Sequence, residues 1–560
     1  MYRISTDSSP NMRSNPDLED ERKAQPAFAI KECYSDSTLG NALDFSTPRH
    51  PNLSRSHSTL ASTLNATRPV EIPEPVLQAL ETRQLDIDHH GVVSWRDDSI
   101  THPRHWPMPR KLYDTAIICI LEFLTTLISN TGSSAARYAS KDVGVETELS
   151  IFCFVTLYLL GQSVGGLIFP PIAETFGGRT IYVAATGAFA ISCMLMGASP
   201  TLPAVIIGRT LSGVFSALPT IVAVGSIENM WNSKGRIWVI QIWVVVAIFA
   251  LALGPPIAVY ISETTAGWRW IYAGAAICMG IMTVSCFFMK ESRPALVLRQ
   301  HVRAIEKETG YDGLSLDEEF GLPTMREFAR TNLILPVKLW FTELLVFLVA
   351  LMAAVSFGFI YLFAEALHVV YHSGFGMDEK SSSLTFLAIG VGVWFTFIPR
   401  LYDVHITNVE ARRKQPLEPE AKLLGYYIAA PVLAVGLWWF ACTVPPLVPD
   451  LSIWVSMCAL VLVGYGIVEF DSVLCAYLTD TYTSYAESAN APVAFLRAVL
   501  SGVFPLFAPK MFKGLGANNA LFLLAAIATA FCGIAILFKF YAKSIRERSP
   551  FAQKTAMTAI

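Results

Sequence analysis

The stretch KESRPALVLRQHVRAIEKETGYDGLSLDEEFGLPTMREFARTNLILP, Lys290 to Pro336, decides the fold. Six long apolar segments lie on each side of it, so it reads as the seam between two membrane-embedded halves. Its first part has the period of a surface helix. Leu298, Val302 and Ile305 recur at four- and three-residue steps, Arg299, Arg303, Glu306 and Lys307 take the other faces, and Gly310 ends the run. The charges fit a solvated face and a face docked on the ends of the spans equally well.

Outward from the seam, the composition sets the class. Of 560 residues, 53% are hydrophobic, 12% aromatic and 16% charged, with a mean hydropathy of +0.45, which is more apolar than one soluble core needs. The chain is therefore expected to be a polytopic membrane protein whose partners include the lipid bilayer. A net charge of -3 argues against nucleic acid as a partner, because phosphates must be met by clustered Lys and Arg. Nine of the ten cysteines fall in or beside apolar segments with no metal-ligand spacing, and His368 and His372 have no third ligand in sight. No metal site is expected.

A span of about 30 Å of hydrocarbon takes about 20 apolar residues. Segments meeting that test run approximately 113–133, 149–170, 180–199, 202–225, 237–262 and 268–289 before the seam, and 336–363, 383–405, 423–443, 451–477, 491–513 and 519–542 after it. The fold class is thus all-α: twelve transmembrane helices in two six-helix halves, 109–289 and 336–542, joined by a central loop at 290–335. Residues 1–108, rich in Ser, Thr, Pro and charge, are expected to be a disordered tail, and 543–560 a short C-terminal tail. Lys and Arg collect in the loops on one side, among them Arg110, Lys111, Arg179, Lys234, Arg236, Arg412 and Lys422, so both termini and the seam are expected in the cytosol. Asn52 and Asn65 match glycosylation acceptors that a cytosolic tail leaves unused.

Several local motifs are more specific. After span 2 comes PPIAETFGGR, with Glu174, Gly177 and Arg179; span 4 carries Arg209-Thr-Leu-Ser-Gly213; span 5 carries Gly254-Pro255-Pro256; and span 6 opens on Gly267-Trp268-Arg269-Trp270. With PEAKLLGYYIAAPVLAVGLWWFACT (Pro419 to Thr443), Tyr477-Leu-Thr-Asp480-Thr-Tyr482 and AESANAPVAFLRAVLSGVFPLF (Ala486 to Phe507), these resemble the major facilitator superfamily and, within it, the fungal twelve-span drug:proton antiporters. The likeness runs from about Pro103 to Phe551. It departs from the pattern at Ala250, Leu251 and Ala258, where the family favours Gly, Pro and Gly, at Gly178 in place of an Arg, and at Asn229 in place of an Asp. These departures bear on the coupling ion, not on the fold.

The resemblance implies export of small organic molecules, drugs, toxins or secondary metabolites, across the plasma membrane by alternating access. The proton gradient would be the energy source, no cofactor would be needed, and the monomer would be the working unit. It also implies that spans 1, 4, 7 and 10 line a central cavity. No nucleotide-binding loop or nucleophile motif points to an enzyme. Two alternatives stay open on the same fold: a nutrient uptake carrier and a transport-inactive sensor.

A charge at bilayer depth costs about 2.5–3.5 kcal/mol, so each one needs a partner or a wet cavity. Glu122 lies nine residues into span 1, about 13 Å deep, and Arg209 reaches comparable depth in span 4. The resemblance puts them on facing or adjacent walls, either as a proton-coupled switch or as a fixed pair pinning two helices. Glu469 and Asp471 stand about 200° apart on span 10, so one of them must face a neighbouring helix; Asp471 is the better cavity candidate. Phe357, Tyr361, Phe363 and Trp394 offer stacking surface. Arg497, with Gly213, Gly254, Pro255, Asp480 and the loop residues Glu174, Gly177 and Arg179, is assigned by the resemblance to gates and loops.

Overall fold

The computed structural model describes residues 72–88, 91–96, 99–316, 334–413, 418–448, 451–482 and 486–549, with Arg330, Phe551 and Gln553. Asn52, Asn65, most of the second part of the seam and the end of the C-terminal tail lie outside the described residues.

Among the described residues, twelve helices are long and apolar enough to cross a membrane. Spans 1 to 6 are Met108–Val143, Thr147–Phe169, Gly178–Ala198, Leu202–Met230, Lys234–Ser262 and Arg269–Cys286. Spans 7 to 12 are Leu344–Gly374, Glu379–Val409, Pro419–Thr443, Ile453–Thr481, Ser488–Leu515 and Ala517–Arg548. Their ends depart from the hydropathy reading where protein rather than lipid surrounds the helix. Span 1 continues past residue 133 to Val143 because Ser133, Ser134 and Ser140 are buried against neighbouring helices. The segment expected at 336–363 is broken: a short helix, Leu335–Thr342, ends at Glu343 in extended backbone (φ -109°, ψ 105°), where the Tyr482 hydroxyl donates to the Glu343 carboxylate at 3.1 Å. Span 7 then runs on to Gly374 through a π-helical turn, His368–Gly374.

The two halves pack alike. In the first, span 1 lies on span 5, span 2 on span 4 and span 3 on span 6; adding six to each number gives the pairs 7 on 11, 8 on 10 and 9 on 12, which are the pairs of the second half. Small residues let these helices approach. A Cβ at Gly213 of span 4 would collide with the Tyr158 carbonyl of span 2, and one at Gly464 of span 10 would collide with the Ile389 carbonyl of span 8, the equivalent crossing. Between the halves, span 2 touches span 11 and span 5 touches span 8, again an equivalent pair.

On the seam side, residues expected to be disordered form a small folded clasp. Helix α1 (Glu74–Thr82) and the hairpin β1 (Leu85–Ile87) with β2 (Val93–Trp95) dock on α2 (Pro294–Thr309) of the seam. Val76, Leu80, Leu85 and Val93 bury against Leu298, Val302, Ile305 and Leu314, and the Val93 N–H donates to the Ser315 carbonyl at 3.0 Å. The N-terminal segment therefore covers the apolar stripe of α2. Each N-terminal piece is too short to show a clear period of its own, and only its meeting with α2 buries enough surface to offset the ordering entropy. Gly310 ends α2 in the left-handed region (φ +69°), with its N–H on the Glu306 carbonyl at 2.8 Å.

Candidate functional site

Between the halves lies a cavity of about 670 Å³, a size that holds drug-like molecules. Spans 1, 2, 4 and 5 wall one side, spans 7, 8, 10 and 11 the other, and the cavity reaches the seam side at Glu291, Arg293 and Pro336.

Glu122 of span 1 stands on this wall and is only 2% exposed. Its carboxylate accepts from the Thr220 hydroxyl of span 4 at 3.1 Å, and no basic side chain among the described residues pairs with it. Hydroxyls alone poorly offset a charge at this depth, so a proton or a cationic group on Glu122 lowers the energy. Tyr361 of span 7 is also on the wall and shares a hydrogen bond of 2.8 Å with the Ser129 hydroxyl of span 1.

Arg209 does not meet Glu122, which corrects the expected pair. Its side chain is fully buried between spans 1, 2 and 4 and donates to three carbonyls: Phe154 at 2.5 Å, Ile128 at 3.1 Å and Ser129 at 3.2 Å. Its guanidinium also lies over the Tyr158 ring at 4.4 Å. Phe154 sits in a π-helical turn of span 2, Phe152–Thr156, where the changed bonding register leaves its carbonyl available to a side-chain donor. Arg209 is thus a positioning residue that ties three helices and does not line the cavity.

On the opposite wall, Asp471 of span 10 is paired with Arg497 of span 11 at 2.8 Å, and the Arg497 guanidinium lies over Phe357 of span 7 at 4.8 Å. All three line the cavity, so Arg497 belongs to the central wall rather than to a gate at the seam. Glu469 turns the other way and bonds Arg400 of span 8, which also pairs with Asp403 at 2.8 Å. Phe363 packs on Phe440, and Trp394 is 54% exposed on the outside of the bundle; neither reaches the cavity.

The loop and helix motifs have local roles. Gly177 ends the second span's helix in a backbone only glycine enters readily (φ +89°), and the chain turns there into span 3, where Arg179 donates to the Phe287 carbonyl at 2.7 Å. The Arg179 N–H also meets the Glu291 carboxylate at 3.2 Å; the side chain of Glu174 lies outside the described residues. Pro255 removes the N–H that would bond the Leu251 carbonyl four residues back, and the Asn130 amide of span 1 donates to that carbonyl at 2.8 Å. Gly254, with its missing side chain, makes room for this approach against Asn130 and Thr131. Asp480 is held by Lys422 at 2.7 Å near the mouth of the cavity.

Sequence reasoning missed Thr220, Asn130 and Arg400. Thr220 had a signal: it follows Arg209 by eleven residues, which returns to within about 20° of the same helix face. Asn130 and Arg400 act on a freed carbonyl and a neighbouring helix, and nothing in their own spacing announces that.

The sequence profile described as Major Facilitator Superfamily matches residues 118–505. A multidrug transporter of Candida glabrata, TPO1_2, is 28% identical over 454 residues, covering 80% of this chain and 78% of its own. The multidrug transporter mdrA of Aspergillus fumigatus is 29% identical over 474 residues, covering 83% and 76%, and the transporter penM of Penicillium rubens is 27% identical, covering 82% and 90%. Among solved structures, the proton:xylose symporter XylE superposes with a TM-score of 0.56 at 15% identity, covering 79% of this chain and 97% of that one. The repeated helix pairs, the cavity between the halves and a profile match over most of the membrane region agree: the chain belongs to the Major Facilitator Superfamily, a family of membrane carriers and not enzymes.

Proposed function

We propose that the protein exports small organic molecules from the cytosol in exchange for protons, by rocking of its two six-helix halves about the central cavity. The observation that carries this reading is Glu122: a carboxylate in no ion pair among the described residues, on the wall of a drug-sized cavity between the halves. In one phase of the cycle it holds a proton; in the other it meets solute or water. The proton gradient supplies the energy, no cofactor takes part, and the monomer is the working unit. The basic residues on the seam side support a cytosolic position for the clasp, the seam, both termini and the cavity mouth. The relatives named as multidrug transporters support export over uptake, and the membrane of this reading is the plasma membrane.

The test compares solute content of knock-out and wild-type cells by untargeted mass spectrometry. Export predicts that at least one organic solute rises in the knock-out. A fall would indicate an uptake carrier, and no change a sensor.

A further inference from the structure

The halves meet along two sides of the cavity, span 5 against span 8 and span 2 against span 11, and the two sides differ. The close crossings fix which positions of spans 2 and 8 correspond. Tyr158 and Gly161 of span 2 pack on span 4 as Ile389 and Gly392 of span 8 pack on span 10, so Ser163, Gly165 and Gly166 answer to Trp394, Thr396 and Phe397. On span 8 these three close the side. The Thr396 hydroxyl accepts from the Gln241 amide of span 5 at 2.7 Å, the Phe397 ring stacks on Trp238 at 6.4 Å, and Trp394 meets Phe249 at 6.2 Å. On span 2 the same positions are turned elsewhere. The Ser163 hydroxyl bends back to the Leu159 carbonyl at 3.2 Å, a Cβ at Gly165 would collide with the Val214 carbonyl of span 4, and one at Gly166 would meet only Ile221 Cδ1 of span 4 within 4 Å. Ser163 and Gly166 line the cavity, whereas Trp394 and Phe397 stand outside it.

We infer that the cavity opens sideways between spans 2 and 11 into the seam-side leaflet, and that the exported solutes are amphiphiles drawn from that leaflet. The inference rests on the export reading above and names the class of solute. Ile221, behind the Gly166 position, and Phe495 of span 11 both line the cavity, yet they are 37% and 49% exposed, while Phe357 and Trp243 on the other walls are half-buried. Val164 and Ile168, on either side of Gly166, are exposed and off the cavity wall, so span 2 passes from cavity wall to lipid face with only small residues between. Gly166 precedes Gly177 by eleven residues and Phe495 follows Ser488 by seven, about 10–16 Å from the seam-side helix ends and within the hydrocarbon of that leaflet. An opening at that depth admits a molecule by its apolar part, which the leaflet concentrates and the aqueous mouth meets rarely. Thr220, next to Ile221 in the chain, donates to Glu122, so a solute whose tail passes Ile221 brings its polar head to that carboxylate.

The test is photo-cross-linking on the full chain in phospholipid nanodiscs loaded with dodecylamine as the probe. The photoreactive residue p-benzoylphenylalanine replaces Ile221, or Trp243 on span 5, and adducts are read by mass spectrometry of the peptides. Phospholipid and dodecylamine adducts are both expected at 221, and dodecylamine alone at 243. Gly166→Phe restores the ring that span 8 carries, where only the movable end of Ile221 lies in the way, and should lower the dodecylamine adduct at 243 about tenfold. Labelling of Cys475, a cavity-wall thiol that the mouth serves, by a water-soluble methanethiosulfonate should stay unchanged in that variant. Absence of phospholipid adducts at 221, or a dodecylamine adduct at 243 that Gly166→Phe leaves at the wild-type level, overturns the side opening and leaves the mouth as the route. Cys475 labelling that falls together with the dodecylamine adduct also overturns it, since the whole cavity would then have closed. If Gly166→Phe does not fold, the phospholipid adduct at 221 in the otherwise unchanged protein decides by its presence or absence. Because cross-linking reads entry and needs no proton gradient, failure of the side opening and failure of the export reading are separate results.

Discussion

Arg209 is the residue whose expected role the structure changes most, and its truncation has a calculable cost. Arg209→Met removes donors from the carbonyls of Phe154, Ile128 and Ser129 while keeping much of the volume. Ile128 keeps the Thr131 hydroxyl at 2.9 Å, so two carbonyls lose their side-chain donor. At about 1.5–3 kcal/mol for each hydrogen bond from a charged donor, that is a loss of roughly 3–6 kcal/mol. Loss of the guanidinium over Tyr158 adds up to about 2 kcal/mol. Against this, the variant no longer buries a charge, which returns several kcal/mol. The net expectation is destabilisation by up to a few kcal/mol, with Arg209→Lys between the variant and wild type because an ammonium cannot present the planar fork. Thermal unfolding in detergent, followed by the monodisperse fraction on size exclusion, reads it. Arg209→Met with wild-type stability but no proton-driven transport would refute this reasoning and return Arg209 to the coupling role.

Other predictions follow from single contacts. Gly213→Val and Gly464→Val should each lower thermal stability by the same mechanism at equivalent crossings, by about 1–3 kcal/mol or more, and a neutral effect at either site would contradict the close approach. Asn130→Ala should expose the Leu251 carbonyl next to Pro255 and destabilise by about 1–3 kcal/mol, whereas Asn130→Gln should recover part of that; unfolding curves compare the two. The clasp should loosen in acid. Burial, then Arg104, hold His102, whose ring packs edge-on against Trp95 of β2, at about 4, below its ordinary 6.5, and burial, then Arg83, lower His301 of α2. The unfolded clasp therefore binds more protons, so its stability is complete above about pH 6.5 and falls as pH drops toward 4. Amide exchange at Val93 and Ser315, corrected for intrinsic rate, should quicken at about pH 5 relative to neutrality, and unchanged protection would contradict the assignment.

What the sequence made legible is whatever hydropathy and charge alone decide. The twelve segments and the seam at Lys290 stand out because lipid requires long apolar helices. The divergence of Asp471 from Glu469 follows from helix geometry, and the structure turns Asp471 into the cavity and Glu469 toward Arg400. Contacts with backbone were not legible. Arg209 looks like a partner for Glu122 only if the carbonyl of Phe154, released by a π-helical turn, is invisible, as it is in a one-letter string. The clasp was hidden for a different reason: Val76, Leu85 and Val302 are distant in the chain, and none lies in a window apolar enough to mark a core.

The central claim is that Glu122 carries the coupling proton. The direct measurement reconstitutes wild type, Glu122→Gln and Asp471→Asn in vesicles with the solute that accumulates in the knock-out, and compares counterflow with transport driven by a pH jump. The account predicts that Glu122→Gln keeps counterflow and loses its response to the proton gradient. A Glu122→Gln protein with the wild-type pH response, beside an Asp471→Asn protein that has lost it, would contradict the account and put the proton on span 10.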